Sequence, residues 1–233
     1  MLNAVLLLLT AAIPVIVAIT LHEAAHGYAA WALGDDTAKA AGRLSLNPLR
    51  HVDRFGTLIL PGLLILGQVL TIGRVAFMFG WAKPVPVSAW RFRHPRQGMA
   101  LVAAAGPAMN FLLAWLTALT MHGVERVPGG VGATLTQASE LFILANLVLG
   151  LFNLLPIPPL DGGRIAVGVL PAGLARMWAG LERAGIVIVV LGVFILPRVL
   201  AGFGVEWNPV GDALEAVIPW AWAVVNRAAG WDV

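Results

Sequence analysis

Hydrophobic positions in this chain fall in long uncharged runs, not in the half-faced or alternating patterns of a soluble fold. Met1–Leu21, Gly98–Met121 and Leu141–Leu160 each hold about 20 residues or more without a charged side chain, enough to cross a bilayer as helix. A fourth run, Ala184–Pro197, continues past Arg198 to Val205. Two segments are ambiguous. Phe55–Gly73 is uncharged but carries Gly56, Pro61, Gly62 and Gly67, and Ala216–Asn226 is short, with Trp220 and Trp222 suited to a membrane interface. The pattern predicts an α-helical integral membrane protein, a polytopic bundle of about 4–6 membrane helices. Residues 1–205 make the membrane-embedded domain, with its core in 1–170. Residues 206–233 make a C-terminal amphipathic or short membrane helix.

The polar stretches between these runs set a topology. Gly34–Arg54 holds Lys39, Arg43, Arg50 and Arg54, Lys83–Gln97 holds Lys83, Arg91, Arg93 and Arg96, and Asp161–Arg183 holds Arg164, Arg176 and Arg183. His122–Gln137, read as a loop, has only Glu125 and Arg126. Basic loops face the cytoplasm, so the first two share a side. Phe55–Gly73 is then not a simple crossing but a re-entrant or surface-lying element, or a pair of short segments. Phe77–Val87 contains Lys83-Pro84-Val85-Pro86, which forbids helix and suits an edge strand or polyproline segment. A small β element at the membrane face is expected there.

Composition agrees with a lipid environment. The chain is 59% hydrophobic and 12% charged with a mean hydropathy of +0.86, whereas soluble domains carry about 25% charge. The net charge of +3 is spread over short loops, where it reports orientation and lipid head groups and not a nucleic-acid partner. Cysteine is absent, which excludes disulfides and thiolate chemistry. Met1–Leu21 lacks a basic leader and runs into His22 and Glu23 without a small-residue cleavage site, so it reads as a retained first span.

The end of that span carries chemistry. Residues 22–26 read His-Glu-Ala-Ala-His. Histidines four apart share one helix face and can reach one ion, with Glu23 beside them to take a proton from water. A catalytic zinc usually has three protein ligands. A third histidine six residues on is absent, since that position is Ala32, and the next glutamate is Glu125. The acidic candidates are Asp35, Asp36, Asp53 and Asp161. Asp35 and Asp36 follow Gly34 and read as solvated loop residues. Asp53 could pair with His51 or lie on the surface. Asp161 is the best of them. It closes the run Leu141–Leu160 beside Pro156, Pro158, Pro159 and Gly162-Gly163, and that run ends on the same face as the histidines.

Three motifs in order carry a resemblance: the His22–His26 pentapeptide, Gly-Pro-Ala-Met-Asn-Phe at Gly106–Phe111, and Asn-Leu-Leu-Pro-Ile-Pro-Pro-Leu-Asp-Gly-Gly at Asn153–Gly163. Over about residues 1–170 the chain resembles the site-2 protease family of intramembrane zinc metalloproteases. The resemblance implies one zinc held by His22, His26 and Asp161, with Glu23 as catalytic acid and base. It implies that Asn153 holds the substrate backbone and that Asn110 orders the core around the site, in the same substrate-binding set. The implied substrates are single-span membrane proteins, cut within or next to a transmembrane segment. The implied location is the cell membrane, with the site toward the cytoplasm. Members of the family often add a PDZ or CBS domain; this chain has room for neither and looks like a minimal form. A zinc transporter and a proteolytically silent membrane scaffold are the competing classes, and the intact Glu23 weighs against the scaffold. The oligomeric state is open at this stage.

Overall fold

The structure, a computed structural model, describes residues 2–73 and 80–232. Its long elements are helices: α1 (Leu2–Ala32), α2 (Leu60–Ile72), α3 (Pro95–Val124), α4 (Gly129–Asn153), α5 (Asp161–Val169), α6 (Ala172–Gly202) and α7 (Pro209–Ala228). Among the described residues, four stretches are long and apolar enough to cross a membrane: Arg54–Thr71, Pro95–Val124, Gly129–Asn153 and Ala172–Gly202.

The core is the mutual packing of α1, α3 and α4. Small side chains allow it: Ala24, Ala25 and Ala30 on α1 and Ala103, Ala114 and Ala118 on α3 are buried, and backbones approach closely where side chains are short. Ile143 and Leu147 of α4 fill the remaining space and are fully buried. Helix α5 lies on α3, and α7 packs along α3 and α4. The far end of α7 is fastened by indole donors, Trp115 Nε1 to the Ala228 carbonyl (3.1 Å) and Trp231 Nε1 to the Ala118 carbonyl (2.9 Å). Outside this core the apolar residues face outward, as with Leu63, Leu66 and Leu70 on α2 and Val187, Leu191 and Val199 on α6. In lipid such surfaces need no protein partner.

Helix boundaries differ from those the hydropathy pattern predicts. The expected loop His122–Gln137 is mostly helical, because α3 runs on to Val124 and α4 starts at Gly129, leaving only residues 125–128 between them. Hydropathy marks where lipid is, whereas a helix continues for as long as i to i−4 hydrogen bonds can be made. At its other end α4 stops at Asn153, short of the expected Leu160. Pro156, Pro158 and Pro159 have no N–H to continue the ladder, and Asp161 begins a new helix after the turn. Asn153 and Asp161 therefore do not share a helix. Arg54–Ile59 is π-helical and leads directly into α2, so the pair of short segments considered for Phe55–Gly73 is not formed.

The expected β element is not seen among the described residues. Residues 77–79 of that segment lie outside the described residues, and from Gly80 to Val87 the chain forms neither helix nor strand. Its backbone is held by other groups. The Trp81 amide donates to the Gly56 carbonyl (3.1 Å) and the Lys83 amide to the His51 carbonyl (2.8 Å). Arg43 Nη2 donates to the Lys83 carbonyl (2.7 Å), and the Val85 amide donates to Glu23 Oε2 (3.1 Å). Ser88 donates its amide to Asp35 Oδ2 (2.6 Å). With prolines at 84 and 86 removing two donors, isolated backbone carbonyls and side chains satisfy this strap where a ladder could not.

These same bonds bring the two basic loops together at one end of the bundle, as the charge pattern predicts. Arg91 completes the junction with an ion pair to Asp36. The chain leaves Gly56 into α2 and is back at the Gly56 carbonyl by Trp81. Asp35, expected as a solvated residue, is fully buried. It accepts from the Thr37 amide (3.0 Å), the Thr37 hydroxyl and the Ser88 amide. Asp53 caps the helix that follows, accepting from Phe55 (3.0 Å) and Gly56 (2.6 Å).

Candidate metal centre

The last three turns of α1 place His22 and His26 on the face that meets α3. Both are buried, with their rings edge-to-face at 4.7 Å. Gly106 of α3 makes this contact possible. A Cβ there would lie 2.5 Å from His26 Nε2 and 2.6 Å from His22 Cε1, so only a glycine lets the α3 backbone come this close. The turn after α4 delivers the third group. Gly162 fits tightly beneath the Leu154 carbonyl, where a Cβ would stand 2.1 Å from the oxygen, and this holds the first turn of α5 against the end of α4.

Asp161 is buried, with Oδ2 3.1 Å from His22 Nε2 and 3.3 Å from His26 Nε2. The two Nε2 atoms are themselves 3.1 Å apart. Among the described residues this is the group of His, Asp and Glu side chains whose ligand atoms converge in the manner of a metal site. The edges match one face of a zinc tetrahedron, whose ligand-to-ligand distance is about 3.3 Å for bonds of about 2.0–2.1 Å.

Protonation explains why these atoms do not simply bond to one another. His26 Nδ1 meets the Val102 carbonyl at 2.7 Å, and a carbonyl only accepts, so Nδ1 carries a proton and in the neutral ring Nε2 presents a lone pair. His22 Nδ1 meets Asn110 Oδ1 at 2.6 Å, with the same consequence for its Nε2. With both rings neutral, the form that binds metal, two lone pairs and a carboxylate oxygen face each other without a proton between them. Asp161 Oδ2 is left buried without a hydrogen-bond partner despite two nitrogens within reach. A cation resolves that conflict, and imidazole nitrogens with a carboxylate suit zinc.

The other sequence candidates surround this centre. Glu23 is half-buried beside the strap, its Oε2 accepting the Val85 amide. Asn110 is fully buried, with Oδ1 on His22 and Nδ2 donating to Asn146 Oδ1 at 2.9 Å. Asn153 is half-buried at the end of α4 and donates Nδ2 to the Leu149 carbonyl at 2.9 Å, leaving Oδ1 as its acceptor.

Residues 131–196 match the model of peptidase family M50. The chain is 42% identical over 211 residues to "Putative zinc metalloprotease YwhC" of Bacillus subtilis (strain 168), a match that covers 88% of each. It belongs to peptidase family M50. A relative of the same description, Rip2 of Mycobacterium tuberculosis (strain ATCC 25618 / H37Rv), is 31% identical over 148 residues, which is 63% of this chain and 52% of Rip2. Rip3 of the same strain is 36% identical over 126 residues, 51% of this chain and 30% of Rip3. The chain thus spans about half the length of Rip2 and less of Rip3. No solved structure matches.

Membership of M50, a zinc metalloprotease family with membrane-embedded helices, agrees with the resemblance the motifs carry and makes zinc the cofactor that the donor set fits. Sequence reasoning about this M50 protein missed three supports of the site: the Val102 carbonyl, the Val85 amide and Asn146. The first two are backbone groups and have no side-chain signal. Asn146 had one, since an amide in the middle of an uncharged run is expensive in lipid unless it has a partner.

Proposed function

We propose that this M50 protein hydrolyses peptide bonds within or next to the transmembrane segments of single-span membrane proteins. The observation that carries the reading is the convergence of His22 Nε2, His26 Nε2 and Asp161 Oδ2 with Glu23 alongside, at one end of a bundle of apolar helices. His22, His26 and Asp161 hold one zinc per chain, which when bound supplies Lewis-acid polarisation of a carbonyl and acidifies water at the site.

Glu23 takes a proton from the attacking water as its oxygen bonds to the peptide carbon. It then delivers the proton to the amide nitrogen as the C–N bond breaks, giving a carboxylic acid, which keeps the second proton of the water, and an amine. The Val85 N–H on Oε2 orients the carboxylate and leaves its second oxygen for this transfer. Asn153 Oδ1, at the open end of α4, accepts a backbone N–H of the unwound substrate. Asn110 serves the same reaction by holding His22 in place. Residues 1–205 act as the membrane-embedded protease domain, and α7 in 206–233 is an amphipathic C-terminal helix. The site faces the cytoplasmic side of the cell membrane, following the basic loops that surround it.

Glu23→Gln tests the reading. Gln retains the shape and can still accept the Val85 amide, but it cannot take the proton. In proteoliposomes with a single-span reporter, cleavage is expected to fall by at least about a hundredfold. Zinc content and thermal stability should stay at wild-type values. Cleavage near the wild-type rate would remove Glu23 from the reaction.

A further inference from the structure

We infer that Asn146 is a positioning residue that fixes the tautomer of His22 through Asn110. The inference rests on His22 being a zinc ligand through Nε2. Asn110 and Asn146 are both fully buried, where α3 meets α4, so neither amide can borrow water. Their orientation is dictated from one end. The Phe142 carbonyl, one turn before Asn146 on α4, accepts only, so the group facing it at 2.9 Å is Asn146 Nδ2. That turns Asn146 Oδ1 toward Asn110, where it receives Nδ2 at 2.9 Å. Asn110 in turn presents Oδ1 to His22 Nδ1 at 2.6 Å.

An acceptor at that distance requires the proton on Nδ1. The lone pair of the neutral ring is thereby placed on Nε2, the atom 3.1 Å from Asp161 Oδ2. Each link leaves the next one choice, so a backbone carbonyl on α4 decides which nitrogen of a histidine on α1 is free to bind metal.

The two histidines are secured differently. His26 donates directly to the Val102 carbonyl, which has no rotamer to lose. His22 depends on an amide that could turn over. Without Asn146, Asn110 loses the acceptor for Nδ2, and turning that Nδ2 toward the ring would drive His22 into the Nε2–H form, which cannot ligate through Nε2. If Asn146 only bridged two helices, the tautomer would not depend on it.

Selective 15N-histidine labelling of the detergent-purified protein, with zinc removed by chelator, reads the tautomer directly, and chelator competition reads zinc affinity. In the wild type His22 should be the Nδ1–H form. Asn146→Leu should populate the Nε2–H form and weaken zinc binding by about 10–100-fold, the usual cost of losing a group that supports a ligand. Adding Asn110→Asp to Asn146→Leu supplies an acceptor that has no N–H to turn toward the ring. Tautomer and affinity should then return toward wild type. A helix-bridging role predicts the reverse, since a carboxylate beside leucine adds an unpaired buried group. A double variant that binds zinc no better than Asn146→Leu would overturn the inference. So would a wild-type His22 found as Nε2–H, and that result needs no variant to fold. Wild-type protein that binds no zinc at all would instead overturn the ligand assignment on which this rests.

Discussion

At the scale of single residues the centre is defined by what cannot be satisfied without a cation. His22, His26 and Asp161 are buried, the histidines' supporting hydrogen bonds are made on the far side of each ring, and with neutral rings the facing atoms are all acceptors. Removing the carboxylate should therefore cost more than removing a supporting group. Asp161→Ala is expected to weaken zinc binding beyond the about 10–100-fold typical of lost outer partners. Metal analysis after mild chelator treatment should show wild type keeping about one zinc per chain and the variant little. Equal retention by both would take Asp161 out of the ligand set.

At the scale of elements the strap from Gly80 to Ser88 links the site to the loops around it. It is tied to Glu23 through Val85 and to Asp35 through Ser88. Burial opposes the charge on Asp35. The Thr37 hydroxyl, the Ser88 and Thr37 amides and the Arg91 guanidinium outweigh it and hold the carboxyl below the usual carboxylate range. A carboxyl whose pKa is lowered on folding stabilises the fold above its unfolded pKa, about 3.9 for Asp, and loses that contribution as pH falls through the lower folded value. Asp35→Asn should cost about 1.5–3 kcal/mol near neutral pH, the worth of hydrogen bonds to a charged group. Thermal melts of the variant should also lack the part of the wild-type loss that sets in below about pH 4. Identical melting curves for the two proteins across that range would show that Asp35 does not anchor the strap.

At the scale of the whole molecule the two basic loops are one surface. Trp81 on Gly56, Lys83 on His51, Ser88 on Asp35 and Arg91 on Asp36 join them at the end of the bundle that holds the histidines. Helix α3 then carries the chain away to the turn before Gly129. Because the chain has no cysteine, single cysteines at Lys39, Arg93 and Gly129, all exposed, can be labelled without background. An impermeant reagent on sealed vesicles should reach positions 39 and 93 from the same side and position 129 from the other. Labelling of 39 and 93 from opposite sides would contradict the packing of the two loops.

By itself the sequence determined what depends on neighbours along the chain and on the solvent. Uncharged runs fixed the membrane class, the four-residue spacing put His22 and His26 on one face, and the carboxylate closing the run Leu141–Leu160 beside three prolines singled out Asp161. Loop charge also put the two basic loops together. Partners far apart in the chain were decided only by the tertiary structure. Asn110 meets His22 across 88 residues, and Asn146 meets Asn110 across 36. Asp35 passed for a solvated residue until Ser88 and Thr37 closed over it, and Val85 looked like strand until Glu23 took its amide. The physical reason is the same in each case. A polar group declares its need for a partner in the sequence, but which group answers is set by how helices of small residues pack, and no local pattern encodes that.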